Sequence, residues 1–264
     1  MIAQIDDTAI AYDDIGTGVP VVFLHAFPLD RTMWAPQTSA LASRCRCITI
    51  DARALGESTG GPPFTMDRYA DDVVAVLDSI AIDRAAVVGL SMGGYVAFAL
   101  WRRHRARIRA LVLADTRAGA DDDAGRERRR QLAELARHHG SSAVADRQVT
   151  GLLGKTTRQR HPHIVTAVQR MMSAGRVDGI VGALEAMMSR PDSTATVATI
   201  DVPTLVIVGA EDAVTPPKEA RALHAGIAGS RLEVLSRAGH LSNIERPAAF
   251  NTVLTEFLGA LEAN

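Results

Sequence analysis

Short apolar runs alternate with stretches of helical periodicity along most of this chain. The runs lie at residues 19–24, 46–51, 85–89 and 110–114, and the stretch 65–80 carries apolar residues at helical spacing. Runs that stay apolar at consecutive positions are typical of strands buried on both faces, as in parallel sheets covered by helices. Ligands of such sheets bind beyond the carboxyl ends of the strands. The pattern therefore predicts an α/β protein whose functional residues lie in loops directly after strands.

The pattern changes after residue 116, where helical stretches follow one another up to about residue 200 and no β-branched strand is found. The sheet pattern then resumes at residues 204–209. We therefore expect a helical cap, or lid, inserted into a core domain. The predicted boundaries are 1–115 and 201–264 for the core and 116–200 for the cap.

The charge balance argues against a polyanionic partner. The 264 residues include 29 Lys+Arg and 30 Asp+Glu, a formal net charge of −1, so no net positive field would attract nucleic acid or an anionic membrane. The first residues lack the basic and apolar regions of a secretory signal. We expect a cytoplasmic protein that acts on a small molecule, with no nucleic acid and no membrane partner. The sequence does not indicate an oligomeric state.

Cysteine usage gives no sign of a metal site. Cys45 and Cys47 are the only cysteines, and their spacing in a predicted strand puts both on one side but too far apart for an easy disulfide. No further Cys or His pair stands at ligand spacing with them, and the histidines at 138–139 and 161–163 are interpreted as surface residues. The sequence predicts reduced, inert thiols, and it indicates neither a metal nor a cofactor.

The sharpest local feature is a Gly-x-Ser-x-Gly motif at residues 89–93, between an apolar run and an apolar helical stretch. A serine on a tight strand-to-helix turn has a strained backbone, and side chains two residues away on either side would collide. Glycine is needed at those two positions for this reason. The structural alternative is a glycine-rich turn that packs a helix closely on a strand. Ser91 is our candidate nucleophile.

A serine hydroxyl is a weak nucleophile, so it requires a base, and the base requires an acid to fix its tautomer. His240 follows the last predicted strand, at residues 231–235, and is the candidate base. Asp212 follows the predicted strand at 204–209 and is the preferred acid. Glu211 is adjacent to Asp212, and Asp115, which also lies directly after a strand, is the alternative acid.

Acyl transfer also requires two N–H donors that stabilise the tetrahedral oxyanion. Met92 follows the nucleophile at the start of a predicted helix, where the helix dipole favours negative charge. The loop after the first apolar run, residues 25–28, supplies the second donor. Pro28 has no N–H, so Phe27 is the candidate. A loop that merely turns the chain is the alternative interpretation.

These residues make the chain resemble the α/β-hydrolase superfamily over nearly its whole length, and most of all bacterial carboxylesterases and 3-oxoadipate enol-lactonases. The chain order Ser, Asp, His is the one found in these enzymes. The likeness rests on residues 25–28, 51–58, 89–94, 209–212 with 215–216, and 239–240. The resemblance implies a mostly parallel central sheet with helices on both faces and an inserted helical lid. It implies Ser91, Asp212 and His240 as the triad and Phe27 and Met92 as oxyanion donors.

Two positions depart from the pattern of this superfamily. Ala26 follows His25, and Ala54 follows Arg53, where members usually have glycine. A Cβ therefore replaces backbone freedom at both positions. We expect a slightly reshaped loop near the oxyanion hole, with effects on substrate fit rather than on the triad.

The predicted cap carries two indications of substrate. Flexible thioethers suit an adaptable apolar surface, so four cap methionines join His25 as candidate pocket residues, with ordinary helix packing as the alternative. These methionines are Met171, Met172, Met187 and Met188. The arginines at 126–130, with Arg137 and Arg147, would suit a substrate carboxylate, although the aspartates at 121–123 favour a solvated helix of balanced charge.

Taken together, these features favour a cofactor-free serine hydrolase that cleaves esters of small to medium acyl chain through an acyl-enzyme. The alternative that uses the same residues is a lactonase, notably a 3-oxoadipate enol-lactonase. C–C bond hydrolases and perhydrolases share the triad. A ligand receptor on the same fold would have no need to retain all three groups.

Overall fold

The computed structural model describes residues 1–262 and contains within them one eight-stranded sheet. The strands are β1 (Ile2–Ile5), β2 (Thr8–Ile15), β3 (Val19–Leu24), β4 (Cys45–Ile50), β5 (Ala85–Leu90), β6 (Ile108–Ala114), β7 (Thr204–Gly209) and β8 (Arg231–Leu235). Their order in the sheet is β1-β2-β4-β3-β5-β6-β7-β8. Neighbouring strands from β4 through β8 all pair in parallel. The prediction of an α/β fold with a mostly parallel central sheet is confirmed.

The helices of the described residues connect and cover these strands. They are α1 (Ala35–Leu41), α2 (Met66–Ser79), α3 (Met92–His104), α4 (Asp123–Leu152), α5 (Lys155–Arg160), α6 (Pro162–Ser173), α7 (Val177–Ser189), α8 (Thr194–Val197), α9 (Pro217–Gly226), α10 (Ser242–Glu245) and α11 (Pro247–Glu262). Across residues 1–262, no helix combines the length and the apolar character that a membrane crossing would require.

The central strands are apolar throughout because both of their faces are covered. In β3, Val22 and Leu24 belong to the core on one side of the sheet, whereas Val21 and Phe23 belong to the core on the other. The first core is completed by α2, α3 and α9, and the second by α1 and α11. Since successive strand residues point to opposite faces, a strand between two helical layers buries every side chain.

The sequence patterns did not predict β1, β2 or α1. β2 pairs antiparallel with β4, with Tyr12 opposite Ile50, and β1 pairs antiparallel with β2. Asp13 and Asp14 interrupt the apolar character of β2, and the whole hairpin lies at the margin of the sheet. Strands with one partly solvated face do not give the continuous apolar run that identified the central strands.

Helices α4 to α8, which we call the cap helices, lie between β6 and β7. These two strands are direct neighbours in the sheet, with Leu111 opposite Thr204. The chain therefore leaves the sheet and returns to it at adjacent positions. α4 is broken at Gly140, where φ is 78° and ψ is 179°, a conformation that is essentially restricted to glycine. The break turns α4 into two helical arms.

The two cysteines are not joined in a disulfide, and both are buried on the same face of the sheet. Burial raises the pKa of Cys47 to about 12. Its thiolate, the reactive form of cysteine, is therefore not populated near neutral pH.

Candidate active site

Ser91 lies on a sharp turn between β5 and α3. Its backbone has φ 55° and ψ −110°, in the left-handed half of conformational space that non-glycine residues rarely adopt. The turn is fixed by a hydrogen bond from the Ser91 N–H to the Ala114 carbonyl at 2.9 Å. A Cβ at Gly89 would lie 2.4 Å from the Gly93 carbonyl oxygen, and one at Gly93 would lie 2.1 Å from that of Leu24. Both glycines of the motif are therefore sterically required.

The loops after β7 and β8 bring an acid and a base to this serine. The His240 Nε2 atom lies 2.8 Å from Ser91 Oγ, and its Nδ1 atom lies 2.8 Å from Asp212 Oδ2. All three side chains are buried or nearly so, with Ser91 only 9% exposed. The structure thus brings together the three residues that the sequence selected as nucleophile, base and preferred acid, in one continuous chain of hydrogen bonds.

The surroundings of Asp212 favour its ionised form. Burial by itself would raise the pKa of Asp212, but the facing His240 ring and the donors of Thr215 outweigh that effect and hold the pKa below its ordinary value. The N–H groups of Val214 and Thr215 donate to Oδ1 at 2.8 Å and 2.9 Å, and the Thr215 hydroxyl donates to Oδ2 at 2.8 Å. Asp212 is therefore an oriented carboxylate.

Asp115, the alternative acid, bonds to other groups. Its Oδ1 accepts a hydrogen bond from the Gly209 N–H at 2.8 Å, and its Oδ2 is hydrogen-bonded to the Ser242 hydroxyl at 2.5 Å. The side chain is fully buried, and burial together with the negative charge of Asp212 raises the pKa of Asp115 well above its ordinary value. In this arrangement burial favours the protonated form of Asp115, and Asp212 is the group that meets His240.

Two backbone N–H groups beside Ser91 are free to bind an oxyanion. Among the bonds formed by residues 1–262, neither the Phe27 N–H nor the Met92 N–H has an acceptor. Both residues are buried, and Met92 is the first residue of α3, where helical N–H groups have no partner within the helix. Buried N–H groups are almost always bonded, so two free ones next to a nucleophile indicate a ligand position.

His25 supports this loop rather than facing the substrate space. Its Nε2 accepts a hydrogen bond from the Ala52 N–H at 3.0 Å, and its Nδ1 bonds the Ala26 carbonyl at 2.9 Å. Ala54, one of the two departures from the superfamily pattern, has φ 63°. The chain therefore adopts the left-handed conformation there even though glycine is replaced. The structure places His25 in the loop before Phe27, which its bonds fix, and not among the residues that line the cavity containing Ser91.

A cavity of about 1040 Å³ opens above the serine, between the core and the cap helices. Ser91, His240 and Phe27 form its floor, together with Tyr95, and Met187 contributes from α7. Of the four cap methionines, Met187 alone lines this cavity, whereas Met171 and Met172 pack into the core around α6. The structure therefore places Met187 at this cavity, and it does not place Met171, Met172 or Met188 among the residues that line it.

The cavity wall is strongly cationic. Four arginines line it, namely Arg117, Arg128, Arg129 and Arg147, against the two carboxylates Asp121 and Asp146. Asp121 is shared by three guanidinium groups, at 2.5 Å from Arg117, 2.5 Å from Arg129 and 3.0 Å from Arg190. Burial would raise the pKa of Asp121, but hydrogen bonds from Arg129 and Arg190 lower it far below its ordinary value.

Two of these arginines keep their charge unpaired. Within the described part of the chain, the side chains of Arg128 and Arg147 form no hydrogen bond or ion pair, and both residues are exposed. Ion pairing of the arginine-rich helix does occur on its outer side, where Arg130 meets Glu127 at 2.6 Å and Arg137 meets Glu134 at 2.6 Å. The expected balance of charge therefore describes the outer face, while the cavity face carries excess positive charge.

The sequence patterns did not predict the contacts of three residues near the triad. Thr215 donates to Asp212, and Glu245 accepts N–H groups on both sides of His240. Glu211, the neighbour of Asp212 in sequence, bonds none of the triad residues and holds Thr156 of the cap. Thr215 lies within the segment 209–216 and has a local signal, because a hydroxyl three residues after an aspartate can bond to it. The partners of the two glutamates are distant in sequence, so no local pattern identifies them.

The fold and the positions of these side chains define the class of protein to which the chain belongs. The family model described as alpha/beta hydrolase fold matches residues 19–247. The chain is a member of the α/β hydrolase family, as the resemblance implied.

Several members of this family that are similar to this chain have named activities. A 3-oxoadipate enol-lactonase of Acinetobacter baylyi is 30% identical over 93% of this chain and 91% of its own length. An esterase from Thermogutta terrifontis, solved with malate bound, is 36% identical with a TM-score of 0.95, covering 98% of this chain and 97% of that chain. An enol-lactonase from Burkholderia xenovorans is 31% identical with a TM-score of 0.91, covering 98% of this chain and all of that chain. Esterases and lactonases are both similar to this chain.

Proposed function

We propose that this protein hydrolyses carboxylic esters of small molecules through an acyl-enzyme on Ser91. The observation that carries the proposal is the unbroken chain of hydrogen bonds from Ser91 through His240 to Asp212, which ends at a large cavity. The two free N–H groups of Phe27 and Met92 beside the serine support it. The similarity to an esterase and to enol-lactonases agrees with ester cleavage as the reaction class.

In the acylation half of the reaction, Ser91 Oγ attacks the ester carbonyl carbon while its proton passes to His240 Nε2. The carbonyl oxygen becomes negative and accepts hydrogen bonds from Phe27 and Met92, which are already oriented when the substrate arrives. The bond to the alcohol oxygen then breaks, and His240 returns the proton to the leaving alcohol. The acyl group remains on Ser91.

In the deacylation half, a water molecule gives its proton to His240 Nε2 and attacks the acyl carbon. The same two N–H groups hold the second oxyanion. When the bond to Ser91 Oγ breaks, His240 protonates the serine and the carboxylic acid leaves. Asp212 keeps its negative charge throughout and stabilises the imidazolium in both halves.

Fluorophosphonate labelling tests the nucleophile. We expect the probe to add one label to the protein and Ser91→Ala to abolish labelling, since the reagent reacts with activated serines. Ser236→Ala removes an exposed serine after β8 and is the matched control, which should label like the wild type. Labelling that survives Ser91→Ala, or is lost in Ser236→Ala, contradicts the assignment.

A second candidate function is hydrolysis of a lactone that bears a carboxylate, as in an enol-lactonase. The specific observation that favours it is the cavity wall, where Arg128 and Arg147 carry charge without an ion pair. An unpaired guanidinium at a binding cavity is suited to a bidentate carboxylate contact. The esterase relative was solved with malate, a dicarboxylate, bound to it.

A substrate panel separates the two candidates. The panel compares p-nitrophenyl esters of rising acyl length with half-esters of dicarboxylic acids and with a carboxylated enol-lactone. A dominant kcat/KM on the lactone supports the second candidate, whereas a dominant rate on uncharged esters supports the first. Arg128→Gln and Arg147→Gln should raise KM for the anionic substrates alone, and Arg130→Gln, on the outer face with Glu127, is the matched control.

A further inference from the structure

The loop that carries His240 is held by a buried carboxylate outside the triad. Glu245 Oε1 accepts hydrogen bonds from the Gly239 N–H at 2.9 Å and from the Leu241 N–H at 3.2 Å. Its Oε2 accepts the N–H of Gly154, between α4 and α5 of the cap, at 2.8 Å. One side chain therefore bonds the backbone on both sides of His240 and joins it to the cap.

The N–H group of His240 itself, between those of Gly239 and Leu241, is also hydrogen-bonded. The His240 N–H donates to the Leu152 carbonyl, at the end of α4, at 3.0 Å. Three successive N–H groups of the loop thus have fixed acceptors, two on Glu245 and one on the cap. Because the position of a side chain follows its backbone, these bonds fix where the His240 ring lies relative to Ser91.

Glu245 is held without a cation. It is 3% exposed, and no arginine, lysine or histidine forms an ion pair with it among residues 1–262. Burial raises the pKa of Glu245, and the Thr157 hydroxyl and the backbone donors oppose that rise. A buried carboxylate without an ion pair is unfavourable unless its oxygens are well bonded, so the three N–H donors are what make this position tenable.

We propose that Glu245 is a positioning residue for the hydrolytic reaction, which keeps the His240 ring within bonding distance of both Ser91 and Asp212 by bonding the backbone on either side of it. The proposal rests on the proposed function, since it assumes that His240 is the base. It assigns to Glu245 no contact with the substrate.

Glu211 offers a matched comparison because it holds the same part of the cap without holding the histidine loop. Its carboxylate accepts the Thr156 N–H at 2.8 Å and the Thr156 hydroxyl at 2.5 Å. A variant at Glu211 therefore loosens the cap junction while the side-chain bonds to Gly239 and Leu241 remain. Any effect of Glu245 that arises only from holding the cap should appear in both variants.

The test compares Glu245→Gln with Glu211→Gln in the full-length protein. An amide at position 245 retains one acceptor oxygen, so either the histidine loop or Gly154 loses its bond. Three quantities are measured on a neutral p-nitrophenyl ester and a fluorophosphonate. They are kcat and KM, the labelling rate of Ser91, and the strongly deshielded proton NMR signal of the His240 Nδ1–H bonded to Asp212.

We expect Glu245→Gln to lower kcat and the labelling rate by about 100-fold, the size of effect that a 1 Å displacement of a catalytic group produces, with KM within about threefold. The NMR signal should shift or broaden. Glu211→Gln should keep the signal and a kcat within about fivefold of wild type. This combination supports positioning of His240.

Other outcomes overturn the proposal. Wild-type kcat and an unchanged NMR signal in Glu245→Gln would do so, as would equal losses in both variants with the signal unchanged. If Glu245→Gln does not fold, Glu245→Asp decides, because its side chain keeps the carboxyl group but is too short to reach both loops. Wild-type values there reject the proposal. Failure of the proposed function is recognised separately, since wild-type protein would then not be labelled at Ser91.

Discussion

Asp212 and Asp115 influence each other's ionisation, and their surroundings shift their pKa values in opposite directions. Asp212 has a facing histidine and three donors from Val214 and Thr215, whereas Asp115 has one N–H and one hydroxyl and is fully buried. The pKa of Asp212 is lowered and that of Asp115 is raised. Two carboxyl groups close together rarely both ionise, and here the environment selects which one does.

Exchange of each aspartate for asparagine should separate their roles. Asp212→Asn removes the charge that stabilises the imidazolium and permits the wrong tautomer of His240, so we expect kcat to fall by about 10³- to 10⁴-fold. Asp115→Asn replaces a side chain that bonds Gly209 and Ser242, and not His240, by an amide of the same shape, so kcat should stay within about tenfold. Steady-state kinetics of both variants checks this, and the reverse ranking would move the acid to Asp115.

The raised pKa of Asp115 also has a consequence for stability against pH. The folded state binds the Asp115 proton more tightly than the unfolded chain, so this group favours folding at low pH and loses that contribution as pH rises toward its folded pKa. Asp115→Asn removes the dependence. We expect the stability of the variant relative to wild type to rise as the pH increases above about 4, the pKa of an unfolded aspartate.

Urea unfolding at several pH values measures this difference. Asp121→Asn provides a contrast, because the pKa of Asp121 is lowered by its arginines. Its stabilising contribution is present above the unfolded pKa and is lost on acidification, so the loss in this variant should be largest near neutral pH. A constant difference between Asp115→Asn and wild type at all pH values would show that Asp115 is ionised in the folded protein.

At the scale of elements, the end of α4 and the loop after β8 meet backbone to backbone. A Cβ at Gly239 would lie 2.2 Å from the Gly154 nitrogen, and one at Gly209 would lie 2.1 Å from the Gly239 carbonyl oxygen. No side chain fits between these segments. The cap junction, the acid loop and the histidine loop are therefore packed as one unit, with Leu152 bonded to His240.

Gly239→Ala should separate these segments. We expect a loss of about 1–3 kcal/mol in unfolding free energy from overpacking, and a kcat about 10- to 100-fold lower because His240 is displaced. Urea unfolding and ester kinetics measure the two effects. Gly259→Ala in α11, where a Cβ meets nothing within 4 Å, is the control and should be neutral or more stable by up to about 1 kcal/mol.

The central elements could be predicted from sequence because each carries a strong local signal. β5 is apolar at every position, and the glycines around Ser91 are fixed by contacts within the turn itself. The strand β2 was not predicted because Asp13 and Asp14 interrupt its apolar run. Residues whose role depends on distant partners, such as Glu245 with Gly154, have no local signal at all.

The orientation of the arginines in α4 is a second feature that the sequence could not predict. Sequence spacing gives the charge balance of α4, but not which arginines turn toward the cavity. Arg130 and Arg137 pair with glutamates on the outer face, whereas Arg128 and Arg147 line the cavity. The kink at Gly140 separates the arms that carry these last two, so helical periodicity does not carry over from one to the other.

For the whole molecule, a net charge of −1 coexists with a cationic cavity. The long-range field is therefore weak, and attraction of an anionic substrate arises from local arginines. Such attraction is screened by salt, since the Debye length falls from about 30 Å at 0.01 M to about 8 Å at 0.15 M. A neutral ester is unaffected by this field.

We accordingly expect kcat/KM for a carboxylate-bearing ester or lactone to fall several-fold between about 0.01 and 0.15 M salt. The value for an uncharged p-nitrophenyl ester should stay constant over the same range. Arg128→Gln combined with Arg147→Gln should remove most of the salt dependence. Equal salt dependence for both substrates would show that the cavity arginines do not act on the substrate charge.

The path of the chain through the sheet also affects how such an enzyme diversifies in evolution. Because the cap helices leave and re-enter the sheet at the neighbouring strands β6 and β7, recombination can exchange most of them while the sheet and its catalytic loops are inherited intact. This exchange is limited at the end of α4, where Leu152 and Gly154 bond the histidine loop. A graft that keeps the host's own residues 152–154 should therefore stay active, and one that replaces them should not.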